Sequence, residues 1–145
     1  MNFKIQLKAA RQLSLIVAMC IASFSSFALN YYWVGGSGNW SNHNVHWAKS
    51  SGGTMFHDQV PQSTDNVFFD ANSFSATGQT VTIDETIIYC NNMTWTGVTN
   101  TPTITNTSNT NNKLYIYGSL TLAAAMNYSF GGEEHIFYLF SWAIR

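Results

Sequence analysis

Lys113-Leu114-Tyr115-Ile116-Tyr117 alternates polar and apolar residues, and after a Gly118-Ser119 break Leu120-Thr121-Leu122 resumes the rhythm. An extended strand points successive side chains to opposite faces, so a period of two with β-branched and aromatic residues marks a half-buried strand. Thr80-Val81-Thr82-Ile83-Asp84 alternates in the same way, and residues 87–95 (IIYCNNMTW) and 102–105 (PTIT) read as further strands. The joints between them, TGVTN and NTSNTNN, consist mainly of Gly, Asn, Thr and Ser, which favour turns. Beyond residue 28 no stretch shows helical periodicity with caps, so the expected fold is all-β. Short strands with turn signals about every 8–12 residues fit two architectures, a β-solenoid or a β-sandwich-like stack. The Asn/Thr-rich turns and strand pairs such as LYIYGSLTL favour the solenoid, whose rounds stack on one another and need a cap.

Outward from this core the chain changes texture. Residues 30–74 form an aromatic block (NYYWVGGSGNW, then VHW, then DNVFFDANSF) with a Gly-rich break at 50–54. Residues 29–77 are therefore expected to act as a Trp/Gly-rich capping region, and 78–132 as the short-strand β region. From Glu133 the chain reads EEHIFYLFSWAIR, without Thr, Asn or Gly. This atypical tail, 133–145, is read as a truncated or frame-shifted end, or else as a last strand or short helix packing its aromatics.

Residues 1–28 have the three-part layout of a signal peptide. Lys4, Lys8 and Arg11 precede the apolar run Leu13–Ile21, and Ser26-Phe27-Ala28 places small residues at the −3 and −1 positions of a cleavage site. The run is shorter than the roughly 20 residues a membrane-spanning helix needs. The expectation is a signal helix cleaved after Ala28, a secreted or cell-surface protein, and no membrane association after cleavage. Past the leader, Lys49, Lys113 and Arg145 stand against all seven acidic residues. Such a surface argues against nucleic acid, which needs several cations to displace counterions, and against anionic membrane. Charged residues make up 9% of the chain and aromatics 15%, so polarity rests on Asn, Thr, Ser and Gly, which suits uncharged partners such as glycans. Cys20 lies in the leader, leaving Cys90 without an internal disulfide partner, and its apolar setting predicts a buried thiol.

Four tryptophans, Trp33, Trp40, Trp47 and Trp95, are the candidate ligand-binding residues. Their flat faces could stack on sugar rings; equally, they could supply the core of a small β domain, and the Gly-rich spacing around them favours tucking inward. A zinc site can be drawn from His43, His46, His57 and Asp58, and a calcium site from Asp65, Asp70 and Asp84. The spacing matches no defined metal loop, however, and no metal or cofactor is expected. A glycosidase would need two carboxylates about 5–10 Å apart, for which Asp65 and Asp70 are the available pair. No nucleophile with base and orienting acid stands out, so no catalytic residue is assigned.

In order, Trp33-Val34-Gly35-Gly36-Ser37-Gly38-Asn39-Trp40, Trp47 and Asp65-Asn66-Val67-Phe68-Phe69-Asp70 trace the pattern WxGGxGxW…W…DxVxFD. With the strands that follow, this resembles the N-terminal segment of very large secreted, adhesin-like bacterial surface proteins, often exported by the type IX route. The resemblance spans most of residues 31–130. It implies a β-helical or β-sandwich region ahead of repeat arrays and a sorting domain; this chain departs from it after Phe130 and carries no such domain. It implies no catalytic residues. The expected function is a non-enzymatic extracellular module, structural or adhesive, belonging to a larger cell-surface protein and contacting glycans or other surface proteins. The rival expectation is a carbohydrate-active enzyme or carbohydrate-binding module.

Overall fold

The computed structural model of this chain describes residues 27–107, 112–131 and 136–139. Twelve strands and one helical turn follow one another: β1 (Asn30–Trp33), β2 (Gly38–Asn39), α1 (His43–His46), β3 (Trp47–Ala48), β4 (Asn66–Phe69), β5 (Thr80–Ile83), β6 (Ile87–Cys90), β7 (Met93–Trp95), β8 (Thr103–Asn106), β9 (Lys113–Ile116), β10 (Leu120–Thr121), β11 (Asn127–Ser129) and β12 (Ile136–Leu139). The fold is β-rich with almost no helix, as the alternating sequence requires. Residues 87–95 do not form one strand. Asn91 and Asn92 break the run into β6 and β7, because the Asn91 amide bonds the Asp65 carbonyl and its own carbonyl accepts from Gly118 (2.6 and 2.7 Å), turning the chain from one sheet into the next.

The strands fall into three sheets, with orders β10-β7-β4-β1-β3, β11-β8-β5-β2 and β12-β9-β6. Every pairing is parallel except β1 with β3. From β4 onward the chain visits the first, second and third sheet in turn, then returns to the first one neighbour further along. Alternation carries through in register. Val67, Met93 and Leu120 align across the first sheet, Val81 and Ile104 across the second, and Ile88 and Leu114 across the third. The first two members of each set are at most 3% exposed. The sheets also run across the sequence boundary at 77/78, since β4 pairs with both β1 and β7. The tail contributes β12, and residues 133–135 and 140–145 lie outside the described residues, as does most of the leader (1–26).

Outward residues also stack from strand to strand. Tyr32 lies on Phe68 (4.9 Å between centroids, 17° between planes), and Tyr89 on Tyr115 (5.7 Å, 28°). At the corner leading into the first sheet a polar ladder forms. Asn66 Nδ2 donates to Asn30 Oδ1 (3.1 Å), and Asn92 Nδ2 donates to Asn66 Oδ1 (2.7 Å). Asn92 Oδ1 in turn accepts from the Ser119 amide (2.7 Å) and hydroxyl (2.9 Å). One side-chain amide thus joins three successive passes of chain. An intramolecular hydrogen bond contributes about 0.5–1.5 kcal/mol, and the Asn92 side chain makes three of these, part-buried or exposed. Asn92→Ala should therefore lower unfolding free energy by about 2 kcal/mol in urea titrations followed by circular dichroism, with the β spectrum retained in water.

Candidate functional site

The four tryptophans are core, not surface. Trp33, Trp40 and Trp47 are 0% exposed and Trp95 is 1% exposed, so their ring faces are covered by protein in this fold. The reason is local. Gly35 and Gly36 adopt φ of +82° and +76°, which side-chain-bearing residues rarely take, and the turn they make lets Trp33 Nε1 donate to the Gly36 carbonyl at 2.7 Å. Trp47 Nε1 donates to the Trp40 carbonyl at 2.9 Å, and its ring meets Trp33 and Trp40 edge to face at 5.0 and 4.6 Å. Trp95 stacks on Phe69 at 3.9 Å. The buried indole N–H groups of Trp40 and Trp95 have no hydrogen-bond partner among the described residues.

The histidines are drawn into the same cluster. The His46 ring lies flat on Trp33 (4.5 Å, 6°), and its Nδ1–H donates to the Val34 carbonyl at 2.7 Å. The His57 ring stacks on Tyr31 at 3.7 Å with Nε2 bonded to the Asn30 carbonyl at 3.1 Å, and His43 Nδ1 reaches the His57 carbonyl at 3.0 Å. Each ring is thus held by a backbone carbonyl. Among the described residues no three His, Cys, Asp or Glu side chains gather as a metal site would require. Cys90 is fully buried, and burial pushes its thiol up to about 12, which keeps it from acting as a nucleophile.

The carboxylates hold backbone. Asp65, 3% exposed, accepts from the Leu29 amide at Oδ1 (3.0 Å) and the Gln62 amide at Oδ2 (2.9 Å). Asp84 accepts from the Ser41 amide (3.0 Å) and hydroxyl (2.5 Å), tying the aromatic block to the end of β5. Asp70 accepts from the Asn72 amide at 2.8 Å, capping the turn after β4. Asp65 and Asp70 flank the extended strand β4, which at about 3.3 Å per residue sets their Cα atoms some 16 Å apart. The glycosidase geometry needs much less. Both residues act as turn and cap residues.

A concavity does occur elsewhere. Met93, Trp95, Ile104, Leu120, Leu122, Met126 and Tyr128 line a groove of about 310 Å³ beside β10 and β11. Tyr128 is in register with buried Ile104 yet 72% exposed, and Leu122 is 57% exposed. The lining carries no charged group, so it offers apolar contact and no acid–base chemistry. Sequence reading missed both this groove and the Leu29–Asp65 contact. The alternation LTLAAAM hints at the first, whereas the second joins residues 36 positions apart and leaves no local trace. The chain matches no protein-family model, no curated protein and no solved structure.

Two tests follow from the aromatic cluster. A Cβ at position 38 would sit inside van der Waals contact of His46 Nε2, Cδ2 and Cε1, and that ring is pinned between Trp33 and the Val34 carbonyl. Gly38→Ala should cost about 2 kcal/mol or more by overpacking, whereas Gly131→Ala, with nothing within 4 Å, should be near neutral in the same chemical denaturation assay. Burial, with a lesser contribution from Lys49, holds His57 below its ordinary value. Its neutral form is the one that fits the fold, so its contribution is complete above about pH 6.5 and is lost as pH falls below that. The melting temperature should fall between pH 7 and 5, and His57→Gln should flatten that fall.

Proposed function

We propose that this chain is a non-enzymatic module of the cell exterior, structural or adhesive, built as a β-solenoid and forming part of a larger surface protein. The observation that carries this reading is the in-register stack of parallel strands, in which Val67, Met93 and Leu120 or Tyr89 and Tyr115 occupy equivalent places on successive passes. Such repetition suits a rigid, extendable scaffold, where each pass contacts only its neighbours. The engagement of Asp65, Asp70 and Asp84 in backbone contacts supports the same reading, since groups committed to turns are poorly placed to transfer protons. The leader-like residues 1–28 and the shortage of cations support a place outside the cell. Contacts with glycans or other surface proteins would then be made by outward residues, and the four buried tryptophans are not among them.

Expression with the native N-terminus in a secreting bacterium tests the location. Intact mass of the exported chain should correspond to a start at Leu29, and retention of the full-length chain in the cytoplasm would refute export. A glycan array combined with a hydrolase and lyase screen tests the class: the expected outcome is no turnover. Turnover abolished by Asp70→Asn would overturn the non-enzymatic reading.

A further inference from the structure

We propose that Asp65 is the receiving site for a new N-terminus: removal of the leader after Ala28 turns the Leu29 nitrogen into an ammonium that pairs with this buried carboxylate and locks β1 onto β4. The inference rests on the export reading above. Its observations are geometric. The Leu29 nitrogen already lies 3.0 Å from Asp65 Oδ1, and the Leu29 carbonyl accepts from the Asn66 amide at 2.8 Å, so the residue is held from both sides. Phe27 is 81% exposed and Ala28 is exposed, whereas Tyr31, two residues after Leu29, is completely buried. Leu29 is itself 43% exposed, so the scissile bond lies in the exposed segment that leads into the fold at Tyr31.

Charge supplies the reason. A buried carboxylate is costly to keep ionised unless a cation or several donors compensate it. Asp65 has two neutral backbone donors, and the described residues include two Lys, Lys49 and Lys113, neither of which hydrogen-bonds or ion-pairs with it. The charge of Asp65 is felt by the Tyr31 phenol and by His57, which burial holds toward its neutral form and on which Lys49 and Asp58 also act. Lys49 is the fixed positive charge among these groups, and it makes no ion pair with Asp65. Hydrolysis by a leader peptidase breaks the Ala28–Leu29 amide. Water gives its hydroxyl to the Ala28 carbonyl carbon and a proton to the Leu29 nitrogen, which at neutral pH takes up a second proton. A neutral N–H···O contact thereby becomes a charge-assisted one, about twice as strong. The precursor, holding only an amide there, is the less stable form.

The test compares two chains released from a cleavable tag, one starting at Leu29 and one retaining Ala28. Ala28 is exposed, so retaining it turns the Leu29 nitrogen into a neutral amide without crowding the fold, and acetylating the Ala28 amine removes the ammonium that would otherwise stand one residue from Asp65's partner at Leu29. The Leu29-start chain should melt about 5 °C higher at pH 6.5, and Asp65→Asn should abolish the difference by lowering that form to the level of the other. Equal melting of the two wild-type forms would overturn the proposal, and that comparison needs no folded Asp65→Asn variant. Intact mass of the exported chain separates the two ideas. A start other than Leu29 defeats the cleavage reading and this inference together, whereas a Leu29 start with equal melting defeats this inference alone.

Discussion

Trp47 meets Tyr31, Trp33, Trp40 and Phe69 edge to face, with centroids 4.6–6.1 Å away and interplanar angles of 64–81°. These four rings come from β1, β4 and the residue after β2, so a single indole forms the floor on which the first two sheets begin. Edge-to-face contact places the positive rim of one ring against the negative face of another, adding about 0.5–1.5 kcal/mol per pair beyond area burial. Deleting a buried Trp costs about 3–5 kcal/mol, a large share of the 5–15 kcal/mol that holds a typical domain. The antiparallel strand β3, the helical turn before it and the Gly35-Gly36 turn all serve to bring this ring to the centre. The parallel stack beyond depends on it for a flat starting surface.

How much of this could be read from the chain depends on the range of the interaction. Strands β5, β8 and β9 are visible in Thr80–Ile83, residues 102–105 and Lys113–Tyr117 because alternation is local and the pleat enforces it. The split of 87–95 at Asn91-Asn92 is hidden, since what turns the chain there is a pair of bonds to Asp65 and Gly118. The single helical turn His43–His46 is too short to show a period. Trp33, Trp40, Trp47 and Trp95 were open to either a surface or a core reading. Composition could not decide between them, because an indole suits a sugar and a core equally well. The Gly-rich spacing around them did point inward, and the positive φ at Gly35 and Gly36 is the physical form of that hint. His46 explains Gly38 only once both are seen in space.

The chemistry of the side chains that join successive passes is largely neutral. Asn side chains, not ion pairs, join the passes at the corner leading into the first sheet. The ladder through Asn30, Asn66 and Asn92 bonds pass to pass with neutral groups, so its strength should vary little with salt or pH, unlike exposed charge pairs that salt screens. His57 is the counter-example, a titratable ring placed in the aromatic cluster at the start of the stack.

The first sheet is unlike at its two edges. On one side β3 runs antiparallel to β1 and is backed by the Ala48–Phe56 bridge, with Trp47 and Ala48 buried beneath it. On the other side β10 is a two-residue strand beside an uncharged groove, and residues 114–131 contain no Asp, Glu, Lys or Arg. Exposed strand edges are ordinarily guarded by charge, proline or a covering segment. Among the described residues, the first sheet therefore has one edge closed by an antiparallel strand and one edge free of charge, and that asymmetry gives the sheet a direction.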